Sequence, residues 1–298
     1  MKVLVLGSSG FIGFPAAQAL ARAGHIVYGQ TRSEAKAKQL AAEEITPIVC
    51  DFVNSDAWHS LIPTLDVIIE AVGGTAKKEI SSLIRNAVVK AAERLRPAGA
   101  PKLTFIYTSG VWVYGDNRKD IISDTTPVQT PLELVAWRPA EEQATLTNTV
   151  INGIVVRPAL LYGRSGSLFE ILFRQAKIDK KISWPGSPGG KFAVIHADDL
   201  ADLYVRLSEG ASIAGGKAFN VANDVTEDVD AFLKKLSFAA GLNGEFQYRT
   251  PSNPFEHALA TTVLTRPYLA RSLFGWQPKK IGVTDGLDVY YSAFQATL

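Results

Sequence analysis

Three glycines directly behind a short apolar strand constrain the fold more than any other feature of this chain. Lys2–Leu6 is an almost uninterrupted apolar run, which is typical of a strand buried on both faces of a sheet. Gly7, Gly10 and Gly13 follow in the spacing G-x-x-G-x-x-G, and an Ala-rich segment comes next. A strand, a tight turn and a helix in this order predict the first βα unit of a parallel sheet that has helices on both faces.

Each glycine of this turn has a separate predicted role. Gly7 permits the sharp turn out of the strand, Gly10 lets backbone N–H groups approach a pyrophosphate, and Gly13 lets the helix pack closely on the sheet. The helix N-terminus adds unpaired N–H donors and partial positive charge. The segment therefore predicts a dinucleotide site, and the alternative is a structural turn that binds no ligand.

The end of the second predicted strand bears on the choice of dinucleotide. An NAD site places an Asp or Glu there to accept from the ribose 2′-hydroxyl, but His25–Gly29 is followed by Gln30, Thr31, Arg32 and Ser33. Arg32, with its hydroxyl neighbours, offers donors to a 2′-phosphate. We therefore expect NADP, with NAD as the alternative; in the other interpretation, Arg32 is a solvated surface residue.

Composition argues against nucleic acid and membrane as partners of this chain. Lys and Arg number 31 against 29 Asp and Glu, for a formal net charge of +2, and no basic block is present, which argues against nucleic acid. No apolar run reaches membrane-spanning length. Because Cys50 is the single cysteine, no internal disulfide can form, and the cytoplasm is the expected location.

Strands and helices alternate along the first half, which predicts the fold class α/β with a Rossmann-type, doubly wound parallel sheet. We expect residues 1–165 to form the dinucleotide-binding domain, with its sheet completed by strands near 192–196 and 217–221. Residues 166–298 are expected to form mainly a small, mostly helical substrate lobe. The predicted elements are strands His25–Gly29, Pro47–Asp51, Asp66–Gly74 and Pro101–Ser109, and helices Ser33–Glu44, Asn54–Leu61, Lys77–Arg96, Pro131–Thr147, Glu227–Ala240 and Thr265–Phe274.

Five motifs occur in order along the chain: Gly7–Gly13, Ile106–Asp116, Val155–Gly163, Val194–Ala201 and Phe219–Asn223. Together they resemble the extended short-chain dehydrogenase/reductase family, in its NAD-dependent epimerase/dehydratase-like group. The resemblance covers nearly the whole chain and implies a nicotinamide cofactor.

The catalytic Tyr-x-x-x-Lys pair of that family is missing from the expected helix, Pro131–Thr147, which contains neither tyrosine nor lysine. In one alignment Arg138 takes the lysine place, and in the other Glu141 does. The family's usual serine or threonine position falls on Gly110, with Ser109 one residue earlier. The chain therefore resembles the atypical branches of the family.

Three residues are candidates for catalysis. Tyr114 is a candidate acid whose pKa a nearby Arg138 would lower, or else a packing aromatic. Arg138 can bind a ribose, a phosphate or a carboxylate, or pair with Glu142 one turn on. Ser109 can hydrogen-bond a substrate carbonyl or satisfy the backbone at the strand end.

The predicted cofactor contacts lie at strand ends. Asp51 and Phe52 flank the adenine, or else the Asp51 carboxylate caps the helix Asn54–Leu61. Pro158 belongs to a loop that the resemblance places over the nicotinamide carboxamide. The full predicted set is Gly7, Ser9, Gly10, Phe11, Ile12, Gly13, Thr31, Arg32, Asp51, Phe52, Ala71, Val72, Gly73, Thr108, Arg138, Pro158, Leu160 and Leu161. No metal is expected, because His196 before Asp198 suits a helix cap better than a metal site.

The leading hypothesis is an NADP-dependent oxidoreductase that acts on a small carbonyl compound or alcohol. The alternatives are a nucleotide-sugar epimerase or dehydratase, against which the missing pair counts, and a cofactor-binding sensor or scaffold without hydride chemistry. Aromatic residues near the predicted cleft favour an apolar or aromatic ligand: Trp112, Tyr114, Trp137, Tyr162, Trp184 and Phe192. A homodimer through the helices Lys77–Arg96 and Pro131–Thr147 is a further expectation.

Overall fold

The computed structural model describes residues 1–52, 54, 56–73 and 78–298. The strands are β1 Lys2–Leu6, β2 Ile26–Thr31, β3 Thr46–Val49, β4 Val67–Glu70, β5 Thr104–Thr108, β6 Asn117–Ile122, β7 Asn152–Pro158, β8 Leu160–Tyr162, β9 Ser183–Pro185, β10 Lys191–Phe192, β11 Val194–His196, β12 Ala218–Val221, β13 Glu227–Asp228, β14 Gln247–Arg249 and β15 Val263–Thr265. The helices are α1 Gly13–Arg22, α2 Glu34–Ala42, α3 Asp56–His59, α4 Lys78–Leu95, α5 Arg138–Leu146, α6 Glu170–Arg174, α7 Ala197–Glu209, α8 Ala211–Ala214, α9 Val229–Ala239, α10 Pro254–Leu259, α11 Leu269–Phe274 and α12 Leu287–Gln295. Short 3-10 turns occupy Val111–Tyr114 and Glu133–Val135, and a π turn occupies Gln175–Asp179.

Seven of the strands in the described residues form one sheet in the order β12-β7-β5-β4-β1-β2-β3. All neighbours in it run parallel. The chain moves outward from β1 to β2 and β3, and then returns to place β4 on the other side of β1. The strand order therefore reverses between β1 and β4, and ligands bind beyond the carboxyl ends of strands at such a point. The predicted doubly wound α/β fold is confirmed.

The apolar run of β1 is buried on both faces because helices cover both sides of the sheet. Val3 and Val5 belong to the core under α1 and α7, whereas Leu4 and Leu6 belong to the core under α3 and α4. All four side chains are fully buried. The run lacks polar alternation because successive side chains of a strand point to opposite faces, and here both faces are interior.

A third core occupies the C-terminal part of the chain and is rich in aromatic rings. Phe169, Phe192 and Phe232 meet with ring centroids 5.2 to 5.6 Å apart, and α12 packs its buried Tyr291 and Phe294 against the same cluster. In the described part of the chain, no helix combines the length and the apolar composition that crossing a bilayer requires.

The structure differs from the sequence prediction at several elements. β12 joins the main sheet as expected, but Val194–His196 pairs with Leu160–Tyr162 outside it. The helix predicted from Pro131 begins only at Arg138, after a 3-10 turn, and Val263–Thr265 is a strand rather than the start of a helix. Gly74 and Lys77, the predicted ends of a strand and a helix, lie outside the described residues. The division of the chain at residue 165 stays a prediction.

Candidate cofactor and substrate cleft

The glycine turn after β1 leaves no room for a Cβ at Gly7 or Gly13. Gly7 has φ +77°, and a Cβ on it would lie 2.7 Å from the carbonyl oxygen of Ala71. A Cβ on Gly13 would lie 2.3 Å from the carbonyl oxygen of Gly7. A Cβ on Gly10 would lie 3.2 Å from that same oxygen. The turn therefore brings α1, β1 and the end of β4 into direct backbone contact.

Gln30, near the end of β2, holds the turn in place. Its side-chain Oε1 accepts from the Gly7 N–H at 2.9 Å, and its Nε2 donates to the Cys50 carbonyl at 2.6 Å. The residue is buried. Sequence reasoning missed it, although a polar residue at the end of a strand buried on both faces requires such partners.

Four backbone donors of the turn form no hydrogen bond within the described residues. They are the N–H groups of Ser9, Phe11, Ile12 and Gly13, whereas the Gly10 N–H bonds to Gly7 O at 3.0 Å. Phe11 and Ile12 line the cleft described below. Unpaired N–H groups at the opening of a helix are the donors that bind a phosphate, so this turn fits a dinucleotide.

Arg32 and Thr31 at the end of β2 have different environments. Arg32 is exposed, and its guanidinium carbon lies 5.2 Å from the centroid of the buried Phe52 ring. Thr31 is buried, and its hydroxyl donates to Ser9 Oγ at 3.0 Å. Ser33 caps α2. Arg32 is therefore accessible to a ligand, whereas the hydroxyl proton of Thr31, predicted to point at one, is directed inward.

A cleft of about 300 Å³ opens beside the turn at the carboxyl ends of β1, β4, β5 and β7. Twelve predicted site residues line it: Gly10, Phe11, Ile12, Ala71, Val72, Gly73, Thr108, Ser109, Arg138, Pro158, Leu160 and Leu161. Trp112, predicted as an aromatic residue near the cleft, also lies in its wall, and sequence reasoning missed Val135 and Leu168 there. These two missed residues lie on turns and loops, where periodicity carries no signal for the direction of a side chain.

Ser109 connects the cleft to a buried ion pair. Its hydroxyl donates to Glu142 Oε1, rather than to the strand-end backbone that was the alternative. Glu142 also accepts from Arg157, with Nη2 2.5 Å and Nε 3.0 Å from its Oε2. Glu142 and Arg157 are buried. Because the Ser109 proton is directed to Glu142, its lone pairs are the part of the hydroxyl available to a ligand.

Tyr114 lies on the far side of the same network, and its environment differs from the one predicted. Its hydroxyl accepts from Arg157 Nη1 at 2.6 Å and donates to Asn220 Oδ1 at 2.9 Å. Burial raises the pKa of Tyr114, although Arg157 opposes the rise. The prediction that Arg138 lowers this pKa was therefore wrong: the neighbouring guanidinium is that of Arg157, and desolvation dominates.

Arg138 sits in the cleft wall at the start of α5. Its Nη1 donates to the Thr108 carbonyl at 3.2 Å, and its Nε–H has no acceptor among the described residues. The alternative ion pair with Glu142 is contradicted, because Glu142 bonds to Arg157, and Glu141 pairs with Arg85 at 2.5 Å. Arg138 is thus a charged donor that its acidic neighbours do not neutralise by direct contact.

Glu70, at the end of β4, lies buried behind this wall. Its Oε1 accepts from the Ser81 hydroxyl at 3.1 Å, while its Oε2 has no partner among the described residues. Burial raises the pKa of Glu70 to about 8, although Ser81 and Arg138 oppose the rise. Glu70 is therefore protonated near neutral pH in the folded protein.

Protonated Glu70 makes folding stability depend on pH. The folded pKa is about 8 against an ordinary 4.5, so between these values only the folded state holds the proton. Stability is greatest below pH 4.5 on this account and falls by up to about 1.4 kcal/mol per unit as pH rises towards 8. Urea unfolding at pH 5.5, 6.5 and 7.5 should show this decline in the wild type and a flatter profile in Glu70→Gln. The exposed Glu79→Gln is the control on α4, and equal slopes in all three proteins would contradict the expectation.

A second cavity, of about 230 Å³, adjoins the cleft on the C-terminal side. We call it the lobe cavity. Leu160 and Leu168 line both spaces, and Trp184, Phe255 and Leu259 line only the lobe cavity. Of the other aromatic residues predicted near the ligand, Trp112 lines the cleft, while Tyr162 and Phe192 are buried in the C-terminal core.

His196, which precedes Asp198 and Asp199, caps a helix. Its Nδ1 accepts from the Asp198 N–H at 3.0 Å at the start of α7. Asp198 also pairs with Arg164 at 2.7 Å, which together with His196 and Lys280 holds its pKa below the ordinary value against the effect of burial. These residues fix the start of a helix that covers the sheet.

Comparison with known proteins places the chain among sequences of one family. The sequence model described as "NAD dependent epimerase/dehydratase family" matches residues 3–222. An "Epimerase family protein SDR39U1 homolog, chloroplastic" from Arabidopsis thaliana is 23% identical over an alignment of 230 positions that covers 72% of this chain and 64% of that protein. The match thus spans just under two thirds of that relative. An uncharacterised protein of Saccharomyces cerevisiae is 26% identical over an alignment of 312 positions, gaps included, that covers 98% of this chain and 99% of that protein.

A solved structure with the same fold is that of UDP-glucuronic acid 4-epimerase from Bacillus cereus in complex with UDP-glucuronic acid and NAD. The TM-score is 0.81 at 18% identity, with 100% of both chains covered. At this identity the likeness concerns the arrangement of strands and helices.

Proposed function

The chain belongs to the NAD-dependent epimerase/dehydratase family, and from that premise we propose that it is an NADP-dependent oxidoreductase acting on a small carbonyl compound or alcohol. The observation that carries this proposal is the cleft itself. Phe11 and Ile12, whose N–H groups are unpaired among the described residues, line the same cleft as Ser109 and Arg138, at the carboxyl ends of the strands. A dinucleotide and a small substrate can meet there, although the helix lacks the Tyr-x-x-x-Lys pair.

The chain's own residues supply binding and orientation in this proposal. NADPH, when bound, supplies the hydride for a carbonyl carbon. The Phe11 and Ile12 N–H groups bind its phosphates, and Arg138 donates to its ribose or to the substrate oxygen. The proton of Ser109 Oγ is held by Glu142. Ser109 Oγ therefore accepts a hydrogen bond, either from the substrate hydroxyl or from the water that provides the proton for the substrate oxygen.

We extend the proposal to the class of substrate and to the cellular location. We propose an apolar or aromatic substrate, because Trp112 and Leu168 lie in the cleft wall, and a cytoplasmic location, because Cys50 is the single cysteine. The homodimer through α4 and α5 stays a prediction. A sugar-nucleotide epimerase is less well supported, since such enzymes use the missing tyrosine and lysine.

A cofactor-binding protein without turnover is the second candidate, and the missing proton donor favours it. The two candidate functions are distinguished by an activity assay. The protein is incubated with NADPH and a panel of aldehydes and ketones, and the absorbance of the reduced nicotinamide is followed. Oxidation of NADPH that depends on the carbonyl supports the oxidoreductase. Tight NADPH binding without oxidation across the panel favours the sensor or scaffold.

Replacing Arg32 by alanine is expected to weaken NADPH binding and leave NADH binding nearly unchanged. A guanidinium–phosphate hydrogen bond contributes about 1.5 to 3 kcal/mol, which corresponds to roughly a 10- to 100-fold change in Kd. Calorimetric titration with both cofactors measures the effect. Arg22→Ala, at an exposed position near the end of α1, is the matched control. An equal loss for both cofactors would assign Arg32 to the adenine or the phosphates that NADH shares.

Replacing Ser109 by alanine is expected to lower kcat by about 10- to 100-fold. This is no more than the lowest contribution of a proton-transfer group, because Ser109 Oγ only accepts a hydrogen bond from the group that carries the proton. The NADPH Kd should change by less than about twofold, because the proposed contact is with the substrate oxygen. Ser123→Ala is the control, since its backbone carbonyl rather than its hydroxyl faces Tyr114. Unchanged kcat in Ser109→Ala would remove Ser109 from the reaction.

A further inference from the structure

The lobe cavity and the cleft are two adjoining spaces of unlike character. Leu160 and Leu168 line both of them. Trp112, in the cleft wall, packs edge-on against Phe255 of the lobe cavity, with ring centroids 6.3 Å apart. The lobe cavity therefore lies directly beside the cleft that Ser109 lines.

The two charged side chains among the described residues that line the lobe cavity, Arg249 and Glu256, are paired with each other. Arg249 is held by Glu256 through two bonds, Nη1–Oε2 at 2.5 Å and Nη2–Oε1 at 2.7 Å. Ser252 donates to the same carboxylate from its N–H and its hydroxyl, both at 2.8 Å. Gln175 Oε1 accepts from the Ser183 N–H at 2.9 Å. The cation is neutralised by a fork that suits a carboxylate.

This arrangement discriminates against a nucleoside diphosphate. Phosphates in proteins are bound by cations or by unpaired N–H groups. Arg249 is the one Lys or Arg among the described residues lining the lobe cavity, and binding a phosphate would require it to leave Glu256. Apart from Arg249, Glu256, Gln175 and Ser183, the described lining residues are apolar leucine, isoleucine, phenylalanine, tryptophan and proline, and they favour apolar ligand surface.

We propose that the lobe cavity binds the uncharged apolar part, an aryl or alkyl group, of the substrate whose oxygen lies beside Ser109. This inference rests on the proposed function and makes Trp184, Phe255 and Leu259 the residues that determine specificity. Volume is sufficient, because a dry apolar cavity of roughly 150 Å³ accommodates benzene and the lobe cavity measures about 230 Å³.

The test is calorimetric binding of 4-phenyl-2-butanone to the protein loaded with NADP⁺, with UDP-glucose as the competing ligand class. We expect the ketone to bind and UDP-glucose to give no heat. Leu259→Trp fills the cavity and should weaken ketone binding by at least about tenfold, with the NADP⁺ Kd within about twofold of wild type. Ile178→Trp, at a position 56% exposed outside the cavity, is the matched control and should bind the ketone normally.

A second variant guards against a folding defect in Leu259→Trp. Ile171 lies at the rim, 46% exposed, so Ile171→Trp obstructs the entrance with little effect on the core and should also weaken ketone binding. UDP-glucose binding, no ketone binding by the wild type, or full ketone binding by both tryptophan variants would overturn the inference. Ketone binding that both variants block, in a protein that binds no NADP⁺, would support the apolar cavity and refute the proposed oxidoreductase.

Discussion

Gly13→Val is expected to abolish dinucleotide binding, with at least about a 100-fold rise in the NADPH Kd, equivalent to about 2.8 kcal/mol. The added Cβ would lie 2.3 Å from Gly7 O and 2.8 Å from Gly7 C. Both are backbone atoms of the phosphate turn, so they cannot rotate away as a side chain would. Helix α1 must shift, and the Phe11 and Ile12 N–H groups shift with it. Calorimetric titration with NADPH measures the loss.

The control for this variant is Ala19→Val, which places the same β-branched side chain at a partly exposed position of α1. It should bind NADPH within about twofold of wild type, since a β-branched residue in a helix costs only a few tenths of a kcal/mol. Overpacking at Gly13 should also lower stability by about 1 to 3 kcal/mol, seen as a lower urea midpoint. Normal NADPH affinity in Gly13→Val would show that no ligand depends on this close contact.

Glu142→Ala is expected to destabilise the protein by about 3 to 5 kcal/mol, because it leaves Arg157 charged and buried without its partner. The substitution also removes the acceptor of the Ser109 hydroxyl, and it removes the carboxylate that holds Arg157 in position to donate to Tyr114. Urea unfolding at pH 7 gives the free energy of unfolding for comparison with wild type.

Two further variants isolate the buried charge as the cause. Glu142→Leu combined with Arg157→Leu removes both charges and should recover much of the loss. Glu170→Ala breaks the surface pair with Arg174, 53% exposed, and should cost no more than about 1 kcal/mol. If Glu142→Ala costs as little as Glu170→Ala, the network around Ser109 is not held by the ion pair.

The sequence carried the fold because its strongest signals were local. Lys2–Leu6 lacks polar alternation, and the glycines after it leave few conformations for a strand, a turn and a helix. Features that depend on contacts between distant parts of the chain could not be predicted in this way. Val194–His196 resembles a strand of the main sheet in composition, yet its pairing with β8 is a tertiary choice that a strand's own residues do not encode.

The candidate site was predictable where backbone geometry defines it. Phe11, Ala71 and Pro158 line the cleft because strand ends and the glycine turn lie there in any sheet of this order. Which guanidinium meets Tyr114 was not predictable: Arg157 is 43 residues away along the chain, and the burial that raises the tyrosine pKa follows from tertiary packing. Arg138, nearer in sequence, faces a carbonyl instead.

The hydrogen bonds of Gln30 bear on the rate and on the entropic cost of dinucleotide binding. Its carboxamide ties the turn to β2 and to the segment after β3, so the glycine turn is held in place by the protein itself, without a ligand. Ordering a mobile loop would subtract from affinity, and a preorganised one avoids that entropic loss. The cofactor is then expected to dock on a rigid template rather than to assemble its own site.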